Sequence, residues 1–447
     1  MAGMAARILI LGGGFAGIAT ARALEKKLRP GEAELTLVSR ENFSLFTPML
    51  PEIGSGTLET RHVVTPVRAQ LRRTSFVLAD VCGIDLQARA VTVQHTIAGD
   101  AQTLPYDHVV IALGSVTSTF GLPGIAERSI PYKTLEDADR VRNHVIAMLE
   151  LADVTHDSVA RKRLLTFVFV GGGFTGVEAA GEMADFFRST ARFYPGIEAN
   201  EIDVYLVEGG KKLLPDLQAG MGEYSAKALS RRGIHVLVET FVAGADATGL
   251  MLKNGATIPT ATIVWSAGVK PAPVVTGLSI ATGRGGAVVV AGDLSVPEYA
   301  GVWAIGDCAA IPDPDAPGTS YPATAQHAIR EGPVLAANIV ARLRGEPTTT
   351  FRYRSMGMMA SLGARRGVAG LQGKFLITGF FAWLLWRSYY LVRLPGLDRQ
   401  LRVAFDWTLG LIFPRDIAEL RVYSRFAHDR AEREAGMAPA EDVPGPH

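Results

Sequence analysis

Short apolar runs alternate with stretches of helical periodicity in the first part of the chain. The run Ile8–Leu11 enters a glycine-rich turn, an amphipathic stretch follows from about Gly14 to Leu28, and the next apolar run is Glu34–Ser39. This alternation predicts two parallel strands joined by a crossover helix. Further strands are predicted at Phe76–Leu78, Ala90–Gln94 and His108–Ala112.

The same pattern occurs a second time in the middle of the chain. A strand is predicted at Thr166–Val170, a helix follows through about Phe187, and the next strand is Asp203–Glu208. The two openings, LILGGGFAG and FVGGGFTG, indicate an internal duplication. A short strand at Val302–Ile305 suggests that the chain returns to the first unit. The predicted fold class is therefore α/β, with two Rossmann-like dinucleotide-binding domains.

From about Phe351 the composition shifts towards Met, Trp, Phe and Tyr with scattered arginines. Phe375–Trp386 is a run of 12 mostly apolar residues. As a helix it would rise about 18 Å, which is short of the roughly 30 Å hydrocarbon core of a membrane. The apolar stretch continues to Leu394, and Pro395–Gly396 then separates it from a second helix predicted at Leu401–Phe413.

This second helix is predicted to be amphipathic. Its polar face carries Arg399, Arg402 and Asp406. Its apolar face carries Leu401, Phe405, Leu409 and Ile412. Aromatic rings and arginines at an apolar–polar boundary suit a helix that lies in a membrane interface. The pattern also fits a buried core helix or the interface of a homodimer.

Composition narrows the function classes. The 447 residues are 48% hydrophobic and 20% charged, as in globular proteins, and a net charge of +1 argues against nucleic-acid binding. The two cysteines, Cys82 and Cys308, are too few for a disulfide framework or a cysteine metal cluster, so no metal site is expected. The first apolar run leads into glycines rather than a signal-peptide cleavage site, so we expect an intracellular protein.

These patterns divide the chain into five segments. One dinucleotide-binding domain takes its first part from residues 1–120 and its second part from residues 286–350. It encloses the other dinucleotide-binding domain at residues 121–285. Residues 351–426 are predicted to form a C-terminal membrane-associating helical region. The charged residues 427–447, which include Pro and Gly, are expected to form a mobile tail.

Gly12, Gly14 and Gly17 have the G-x-G-x-x-G spacing of a dinucleotide-binding turn. The first glycine permits a tight turn, the second lets a pyrophosphate approach the backbone, and the third lets the helix pack against the strand. The helix N-terminus then faces the phosphates. We expect Phe15 and Ala16, in the same turn, to contact the cofactor.

An acid is expected at the end of the next strand, where it would bind a ribose hydroxyl. Ser39 occupies that position, 22 residues after Gly17. Ser39 would bind a ribose oxygen more weakly than a carboxylate, and Glu41 is a second candidate. We expect Arg40 to line the same site.

Gly171, Gly173 and Gly176 form the second turn of this kind, and Thr175 lies within it. The strand that follows ends at Glu208, 32 residues after Gly176. A carboxylate there would accept hydrogen bonds from ribose hydroxyls and repel a 2′-phosphate, which favours NADH over NADPH. The nearby Lys211 and Lys212 oppose that preference.

Two dinucleotide folds in one chain imply two dinucleotides, one retained and one exchanged. Tyr106–Ser115 (YDHVVIALGS) resembles the strand and turn that lead out of the FAD domain in the two-dinucleotide flavoprotein superfamily. Val302–Asp307 (VWAIGD) is similar to its ribityl-binding motif. The resemblance implies FAD as the retained cofactor and NADH as the exchanged one. The residues it places at FAD include Ala112, Gly114, Gly306 and Asp307.

Within that superfamily, essentially the whole chain resembles the type II NADH dehydrogenases. LFTPMLP, which contains Pro48, is similar to the flavin-adjacent loop of that family, and WSAGV, which contains Gly268, is another such segment. GGGFTGVEAAGE resembles the NADH motif. This resemblance places Glu178 beside the nicotinamide and the flavin ring. Glu178 could instead be a helix residue paired with a basic neighbour.

AQHAIREG matches the start of the family's quinone-side helix in part. Ala325 and Gln326 fit the pattern, whereas Arg330 and Glu331 stand where glutamines are usual. The resemblance implies that Gln326 acts at the quinone. His327 could relay a proton to reduced quinone, since imidazole titrates near neutral pH, or it could be structural.

The resemblance implies an NADH:quinone oxidoreductase attached peripherally to the cytoplasmic face of a membrane. Hydride would pass from NADH to FAD, and two electrons would pass to a membrane quinone without proton pumping. The main alternative is an NAD(P)H-dependent reductase of a soluble electron carrier, similar to ferredoxin reductases. A disulfide reductase would need a cysteine pair in the flavin-side region Glu41–Gly56, and a sulfide:quinone oxidoreductase would need two active-site cysteines. A flavin-binding redox sensor is the non-enzymatic alternative.

Overall fold

The structure is a computed structural model that describes residues 5–218, 220–355, 357–363, 365–371 and 375–420. The predicted α/β class is confirmed, because two separate sheets contain the parallel strands expected from the sequence. The first sheet has seven strands. In spatial order they are Val302–Ala304, His108–Ile111, Ala6–Leu11, Ala33–Ser39, Ser75–Asp85, Ala90–His95 and Ala101–Pro105. The first five run parallel and the last two extend the sheet in antiparallel fashion.

The predicted return of the chain to this sheet is also confirmed. Val302–Ala304 pairs with His108–Ile111, which itself pairs with Ala6–Leu11. Because the carboxyl ends of parallel strands meet at one edge of a sheet, residues just after Ala304 come close to the first glycine turn. A Cβ atom on Gly306 would lie 3.2 Å from the Cβ of Ala16.

Two long helices pack against each other beside the first sheet. Helix Phe15–Lys27 contacts helix Ala325–Arg344. Gly332 permits this close approach, because a Cβ there would lie 2.7 Å from the Cβ of Ala19. The side chain of Thr324 caps the second helix at its N-terminus. The second helix therefore packs against the helix that follows the first glycine turn.

The second sheet has five parallel strands. In spatial order they are Ser129–Pro131, Thr262–Trp265, Thr166–Val170, Asp203–Val207 and Ile234–Leu237. Every residue of the central strand Thr166–Val170 is buried, as expected for a parallel strand covered on both faces. The main helices of this half are Leu135–Val154, Ser158–Leu164, Phe174–Thr190 and Met221–Ser230.

Shorter elements complete the described part. A three-stranded sheet is formed by Val242–Ala245, Gly249–Leu252 and Thr257–Pro259, and strand pairs are Phe43–Leu45 with Val64–Pro66, Ser115–Thr117 with Val269–Pro271, and Val288–Val289 with Ala309–Ala310. Short α-helices are Leu50–Gly54, Val67–Gln70, Ile125–Arg128 and Pro273–Thr276. Turns of 3₁₀ helix are Thr47–Met49, Thr60–His62, Ala191–Phe193, Ala199–Glu201, Arg284–Gly286 and Gly306–Cys308.

The C-terminal region differs from the prediction at its start. Phe375–Thr378 is not helical, because it pairs as the third strand of an antiparallel sheet with Gly357–Ser361 and Gly367–Leu371. The first helix therefore begins only at Gly379 and ends at Arg393. The predicted tail 427–447 lies outside the described residues. Within the described residues, no helix combines the length and apolarity needed to cross a membrane.

Pro395 and Gly396 separate the two C-terminal helices, as predicted, and the second runs over Leu397–Leu409 rather than Leu401–Phe413. Val403 and Trp407 are its buried residues, and beside them the carboxylate of Asp406 lies 2.5 Å from Nδ1 of His62, whereas Arg402 on the predicted polar face is exposed. The predicted apolar face points outward instead. The exposed fractions are 63% for Leu401, 63% for Phe405 and 72% for Ile412 in the loop that follows. An apolar face turned to the outside is opposite to the usual orientation of a surface helix.

Candidate active site

A cavity of about 2220 Å³ lies between the two glycine turns. Most of the residues singled out from the sequence line it. They are Gly12, Gly14, Phe15, Ala16, Ser39, Arg40, Pro48, Ala112, Gly114, Gly173, Thr175, Glu178, Gly268, Gly306, Asp307, Ala325, Gln326 and His327. Four do not line it, namely Gly17, Gly171, Gly176 and Glu208. A Cβ on any of the three glycines among these four would lie within 3 Å of a neighbouring protein atom.

The first turn has the geometry that its glycine spacing predicts. Gly12 has φ +115°, and a Cβ on it would lie 2.2 Å from the carbonyl oxygen of Ala112. A Cβ on Gly17 would lie 1.9 Å from the carbonyl oxygen of Gly12. Gly14, in contrast, has no heavy atom within 4 Å of its Cβ position and lines the cavity. Two glycines therefore close the turn, and the third leaves open space beside a helix N-terminus.

The second turn repeats this arrangement. Gly171 has φ +116°, and a Cβ on Gly176 would lie 1.9 Å from the carbonyl oxygen of Gly171. Gly173 has no heavy atom within 4 Å of its Cβ position and faces the cavity. Each half of the molecule thus offers the same cradle for a pyrophosphate group.

Ser39 and Glu208 occupy equivalent positions at the ends of the following strands. The backbone N–H of Gly12 donates to the carbonyl of Val38, and that of Gly171 donates to the carbonyl of Val207, both at 2.8 Å. The Glu208 carboxylate accepts hydrogen bonds from the backbone N–H groups of Gly172 at 2.6 Å and Gly210 at 2.5 Å.

The hydroxyl of Ser39 accepts only a 3.3 Å hydrogen bond, from the backbone N–H of Glu41. A Cβ on Gly13 would lie 2.7 Å from this hydroxyl, so Ser39 is pressed against the first turn. Arg40 and Glu41 both line the cavity. A ligand bound at this strand end would therefore lie beside both side chains.

Asp307 belongs to a polar cluster on the cavity wall. Its carboxylate accepts a 2.7 Å hydrogen bond from the hydroxyl of Ser115 and lies 3.6 Å from Nζ of Lys133. The Lys133 ammonium also donates to the Ser115 hydroxyl at 2.8 Å. Sequence reasoning did not single out Lys133. The capping box that follows it, Thr134 with Asp137, marks a helix start but gives no sign of a contact so distant in the chain.

Glu331 lies behind this cluster rather than in the cavity wall. Its carboxylate accepts a 2.7 Å hydrogen bond from the backbone N–H of Gly306. Burial raises the pKa of Glu331 to about 7, and the nearby negative charge of Asp307 acts in the same direction. The guanidinium of Arg330 stacks 4.3 Å from the ring of Tyr353. The two departures from the family pattern therefore lie outside the residues that line the cavity.

Glu178 is almost completely buried on helix Phe174–Thr190. One of its carboxylate oxygens accepts hydrogen bonds from the backbone N–H of Ser361 and from the indole of Trp386, both at 2.9 Å. The pKa of Glu178 is raised to about 8, mainly by burial, with the neighbouring carboxyl groups of Glu182 and Glu52 acting in the same direction. Both direct donors are neutral, so the ion pair considered as an alternative from the sequence is not what holds this carboxyl group.

Two further buried carboxylates near Glu178 were missed by sequence reasoning. Glu52 pairs with Arg387 at 2.9 Å and accepts a 2.9 Å hydrogen bond from the indole of Trp407. Glu182 pairs with Arg415 at 2.8 Å, and burial raises the pKa of Glu182. Trp386, Arg387, Trp407 and Arg415 all come from the C-terminal region. The C-terminal region therefore packs against the part of the protein that carries Glu178 through polar contacts as well as apolar ones.

Gln326 and His327 lie together at another part of the cavity wall. The side-chain amide of Gln326 donates to the carbonyl of Gly357 at 3.3 Å, and its oxygen accepts from the hydroxyl of Tyr353 at 2.9 Å. Nδ1 of His327 lies 2.7 Å from the hydroxyl of Thr324. Burial lowers the pKa of His327, with the charge of Arg330 acting in the same direction. The imidazole is therefore neutral near pH 7.

The two cysteines do not form a redox pair. Cys82 is exposed, Cys308 is buried, and neither is in a disulfide. Burial raises the pKa of Cys308 to about 12, so its thiol is not a nucleophile at neutral pH. This geometry gives no support to the cysteine-dependent alternatives considered from the sequence.

The residues present fit FAD and a second dinucleotide. The cavity is larger than the 300–1,000 Å³ or so of a typical small-ligand pocket, as two extended cofactors require. Open space at Gly14 and Gly173 lies where pyrophosphates would approach, and Asp307 offers a carboxylate to a ribityl hydroxyl. Leu385, Tyr389 and Tyr390 of the first C-terminal helix also line the cavity, which therefore reaches the C-terminal region.

Comparison with known proteins agrees with this description. Residues 6–332 match the family Pyridine nucleotide-disulphide oxidoreductase, and residues 356–416 match the NDH2 C-terminal domain. A probable NADH dehydrogenase of Dictyostelium discoideum is 32% identical, covering 92% of this chain and 91% of its own length. A type II NADH:quinone oxidoreductase of Mycobacterium tuberculosis is 30% identical, covering 97% of this chain and 94% of its own length.

Solved structures show the same fold. The structure of NDH2 from Plasmodium falciparum in complex with NADH has a TM-score of 0.84 at 21% identity, covering 92% of this chain and 99% of that one. The sulfide:quinone oxidoreductase of Aquifex aeolicus has a TM-score of 0.66 at 19% identity, covering 99% and 100%.

The two glycine turns, the shared cavity and the family match define an FAD- and NADH-dependent oxidoreductase of the pyridine nucleotide-disulphide oxidoreductase class. The matched C-terminal domain and the full-length relatives are more specific. The chain belongs to the type II NADH:quinone oxidoreductases.

Proposed function

We propose that this chain oxidises NADH through bound FAD and reduces a membrane quinone without pumping protons. The observation that carries the proposal is one shared cavity, which both glycine turns line and which extends to the C-terminal helix residues Leu385, Tyr389 and Tyr390. A site of this form would let the residues of the two turns hold FAD and NADH next to each other, with the C-terminal helix residues beside a third ligand.

When bound, FAD supplies the hydride-accepting ring, while the chain supplies binding, orientation and exclusion of water. The first turn holds the FAD pyrophosphate at Gly12, Gly14, Phe15 and Ala16, with Gly17 keeping the helix close to its strand. Ser39 and Arg40 lie at the adenosine ribose. Asp307 binds a ribityl hydroxyl, and Ser115 and Lys133 hold its carboxylate in place. The remaining contacts to FAD come from Pro48, Ala112, Gly114, Gly306 and Ala325.

The second turn binds NADH in the same way. Glu208 is held by two backbone N–H groups, so its carboxylate is oriented to accept hydrogen bonds from ribose hydroxyls and to repel a 2′-phosphate. Thr175 and Gly268 lie along the dinucleotide. Glu178 is a buried carboxyl group that keeps a proton at neutral pH, and it lines the cavity between the two dinucleotides. It positions the nicotinamide and holds a proton at its carboxyl oxygen.

Gln326 and His327 form the quinone end of the site. Both are fixed by hydrogen bonds before any ligand binds, which lowers the cost of ordering them on binding. Gln326 positions the quinone carbonyl. His327 passes a proton through its ring nitrogens, which is a task suited to an imidazole that is neutral near pH 7.

The outward apolar face of the second C-terminal helix anchors the protein to the membrane, at the cytoplasmic face of the cell membrane. Leu401, Phe405 and Ile412 are each more than half exposed, and together they form a surface that suits the hydrocarbon boundary better than water. The same surface could pair two copies of the chain as a homodimer. We also propose that the chain divides into domains at the boundaries predicted from the sequence, with one dinucleotide-binding domain built around each of the two sheets.

The double variant Leu401→Ser, Phe405→Ser tests this function. Burial of each large apolar side chain is worth about 1.5–3 kcal/mol, so we expect at least a tenfold loss of long-chain quinone reduction in vesicles. Reduction of a short-chain, water-soluble quinone should stay within about twofold, because the cavity is untouched. A matched control is Ile97→Ser, Val159→Ser, which removes two exposed apolar side chains outside the C-terminal region.

Two outcomes would contradict the proposal. In the first, the protein reduces a ferredoxin-type carrier faster than it reduces quinone in vesicles, and the double variant changes neither rate. That result would indicate a reductase of a soluble carrier. The second is a change from dimer to monomer in detergent, with unchanged vesicle binding, which assigns the apolar face to a homodimer.

A further inference from the structure

A second, smaller cavity lies apart from the active site. It has a volume of about 400 Å³ and shares no lining residue with the larger cavity. One wall comes from the last turns of helix Met221–Ser230 and the other from the start of helix Gly379–Arg393. It is lined by Tyr224, Lys227, Ala228, Arg231, Arg366, Gly379 and Phe380.

Three cations line this cavity without acidic partners. Lys227, Arg231 and Arg366 are exposed, and none of them forms an ion pair with an acid in the described part of the chain. Glu223 lies one helical turn before Lys227 but does not line the cavity.

The neighbouring Arg232 shows what a structural arginine looks like at this place. It is buried, forms an ion pair with Asp185 and donates to the carbonyl of Gly181 at 3.2 Å. Among the residues that the structure describes, Arg231 has no such acidic partner. The unpaired guanidinium and ammonium groups around the cavity are therefore free to bind an anion.

The rim of this cavity joins an exposed aromatic surface. Phe380 is both a lining residue and 50% exposed, and its ring centroid lies 5.9 Å from that of Phe381, which is 73% exposed. Phe375, on the strand just before this helix, is 63% exposed. A cationic pocket thus borders apolar rings that belong to the same C-terminal region as the proposed membrane anchor.

We propose that Lys227, Arg231 and Arg366 bind the phosphate of an anionic phospholipid headgroup while Phe380 and Phe381 lie among the acyl chains beside it. The proposal rests on the membrane attachment proposed above and adds a specific lipid class and site. Aromatic rings favour the headgroup level of a membrane, and cations near an anionic surface strengthen binding within the Debye length. A soluble phosphate would match the three cations but would leave the adjoining exposed rings unexplained.

The test compares two triple variants of the holoenzyme. Lys227→Gln, Arg231→Gln, Arg366→Gln removes the pocket cations. Arg22→Gln, Lys26→Gln, Lys27→Gln removes the same number of charges from exposed positions of the FAD-domain helix Phe15–Lys27. Partition is measured by sedimentation with vesicles of phosphatidylcholine alone and of phosphatidylcholine with phosphatidylglycerol, at low and high salt.

We expect the pocket variant to bind phosphatidylglycerol vesicles about 100-fold more weakly than wild type, at roughly fivefold per cation. The control variant should lose less than about threefold, and high salt should remove the difference between the two. Equal losses in both variants would overturn the site, because binding would then follow net charge alone. Inorganic phosphate is also tested as a competitor for the site. If it displaces the protein from vesicles as effectively as added phosphatidylglycerol vesicles do, the lipid site is wrong and the cavity is a site for free anions.

The same samples separate this inference from the proposed function. Bleaching of the flavin by NADH and its recovery with a short-chain quinone report the catalytic reaction, and binding to pure phosphatidylcholine reports the apolar anchor. If both are normal while the phosphatidylglycerol preference of wild type is absent, only the lipid site is wrong. If the triple variant is less stable to heat, the single variant Arg366→Gln gives the same comparison, with an expected loss of about fivefold.

Discussion

The two glycine turns are nearly identical in backbone and differ at the strand that follows each of them. Gly12 and Gly171 have φ values of +115° and +116°, and each donates its N–H to the strand residue just before the ribose position. That position is Ser39 in the first half and a doubly hydrogen-bonded Glu208 in the second. The turn fixes where a pyrophosphate goes, whereas the strand end decides how strongly a ribose is recognised.

Each half also contains at least one buried carboxyl group whose pKa is raised, Glu182 being a second one in the NADH half. Glu331 supports Gly306 in the FAD half, and Glu178 lies on the helix of the NADH half. Burial raises the pKa to about 7 in the first case and to about 8 in the second. Glu331 lies behind the cavity wall, whereas Glu178 lines the cavity. We therefore infer that Glu331 supports the site of the retained cofactor and that Glu178 takes part in the chemistry.

The largest expected effect comes from filling the open space in each turn. Gly14→Ala should weaken FAD binding by about 100-fold, because its Cβ enters the space that a pyrophosphate needs. Gly173→Ala should retain FAD and instead raise the KM for NADH at least about tenfold. Neither new Cβ meets a heavy atom within 4 Å, so the Tm of both apoproteins should match that of wild type. Loss of FAD from Gly173→Ala would contradict the assignment of FAD to the first turn and NADH to the second.

A smaller effect is expected at the strand ends. Glu208→Gln should lower the preference for NADH over NADPH by about 10- to 100-fold, since hydrogen bonds to charged groups are worth about 1.5–3 kcal/mol. Ser39→Ala is the matched change in the first half and should alter FAD retention by less than about threefold. Steady-state kinetics with both nucleotides gives the first value, and FAD release on dilution gives the second. An unchanged nucleotide preference in Glu208→Gln would contradict the ribose role of Glu208.

The pH dependence of the two buried carboxyl groups should differ as well. The raised pKa means that Glu178 keeps its proton up to about pH 8 and loses it as the pH rises further. We expect flavin reduction by NADH in wild type to fall about tenfold between pH 7 and about pH 9, because that proton is lost. In Glu178→Gln, whose amide stays neutral, the rate should be lower at pH 7 but flat over this range. A decline that persists in Glu178→Gln would assign the titration to another group.

The smallest effect is expected at Glu331. As the pH rises through about 7, Glu331 becomes charged behind Asp307 and adds negative charge near an anionic cofactor. FAD affinity of wild type should therefore fall a few-fold between about pH 6 and pH 8. Glu331→Gln keeps the hydrogen-bond acceptor for Gly306 and should make FAD affinity independent of pH there. Titration of the apoprotein with FAD measures both.

The sequence was most informative where local backbone geometry dictates residue type. The spacing of Gly12, Gly14 and Gly17 predicts the turn because a Cβ at two of these positions would clash with main-chain oxygens. The predicted helix start at Phe375 was wrong, because Phe375–Thr378 pairs as a strand and the helix begins only at Gly379. Periodicity within one segment carries no information about its pairing partners.

The environment of the buried carboxyl groups could not be predicted. Glu178 is held by Ser361 and Trp386, which lie 183 and 208 residues further along the chain. Glu52 meets Arg387 across 335 residues. Such contacts depend on how the C-terminal region packs against the NADH half, and no local motif encodes that packing. The raised pKa of Glu178 follows from the same packing.

The most direct test of the account is anaerobic stopped-flow mixing of the detergent-solubilised holoenzyme, first with NADH and then with a short-chain quinone. Absorbance of the oxidised flavin is the readout. We expect one FAD per chain to bleach rapidly with NADH and to recover fully when quinone is added. Bleaching without recovery would contradict quinone as the acceptor, and an absence of bleaching would contradict the transfer of hydride between the two halves.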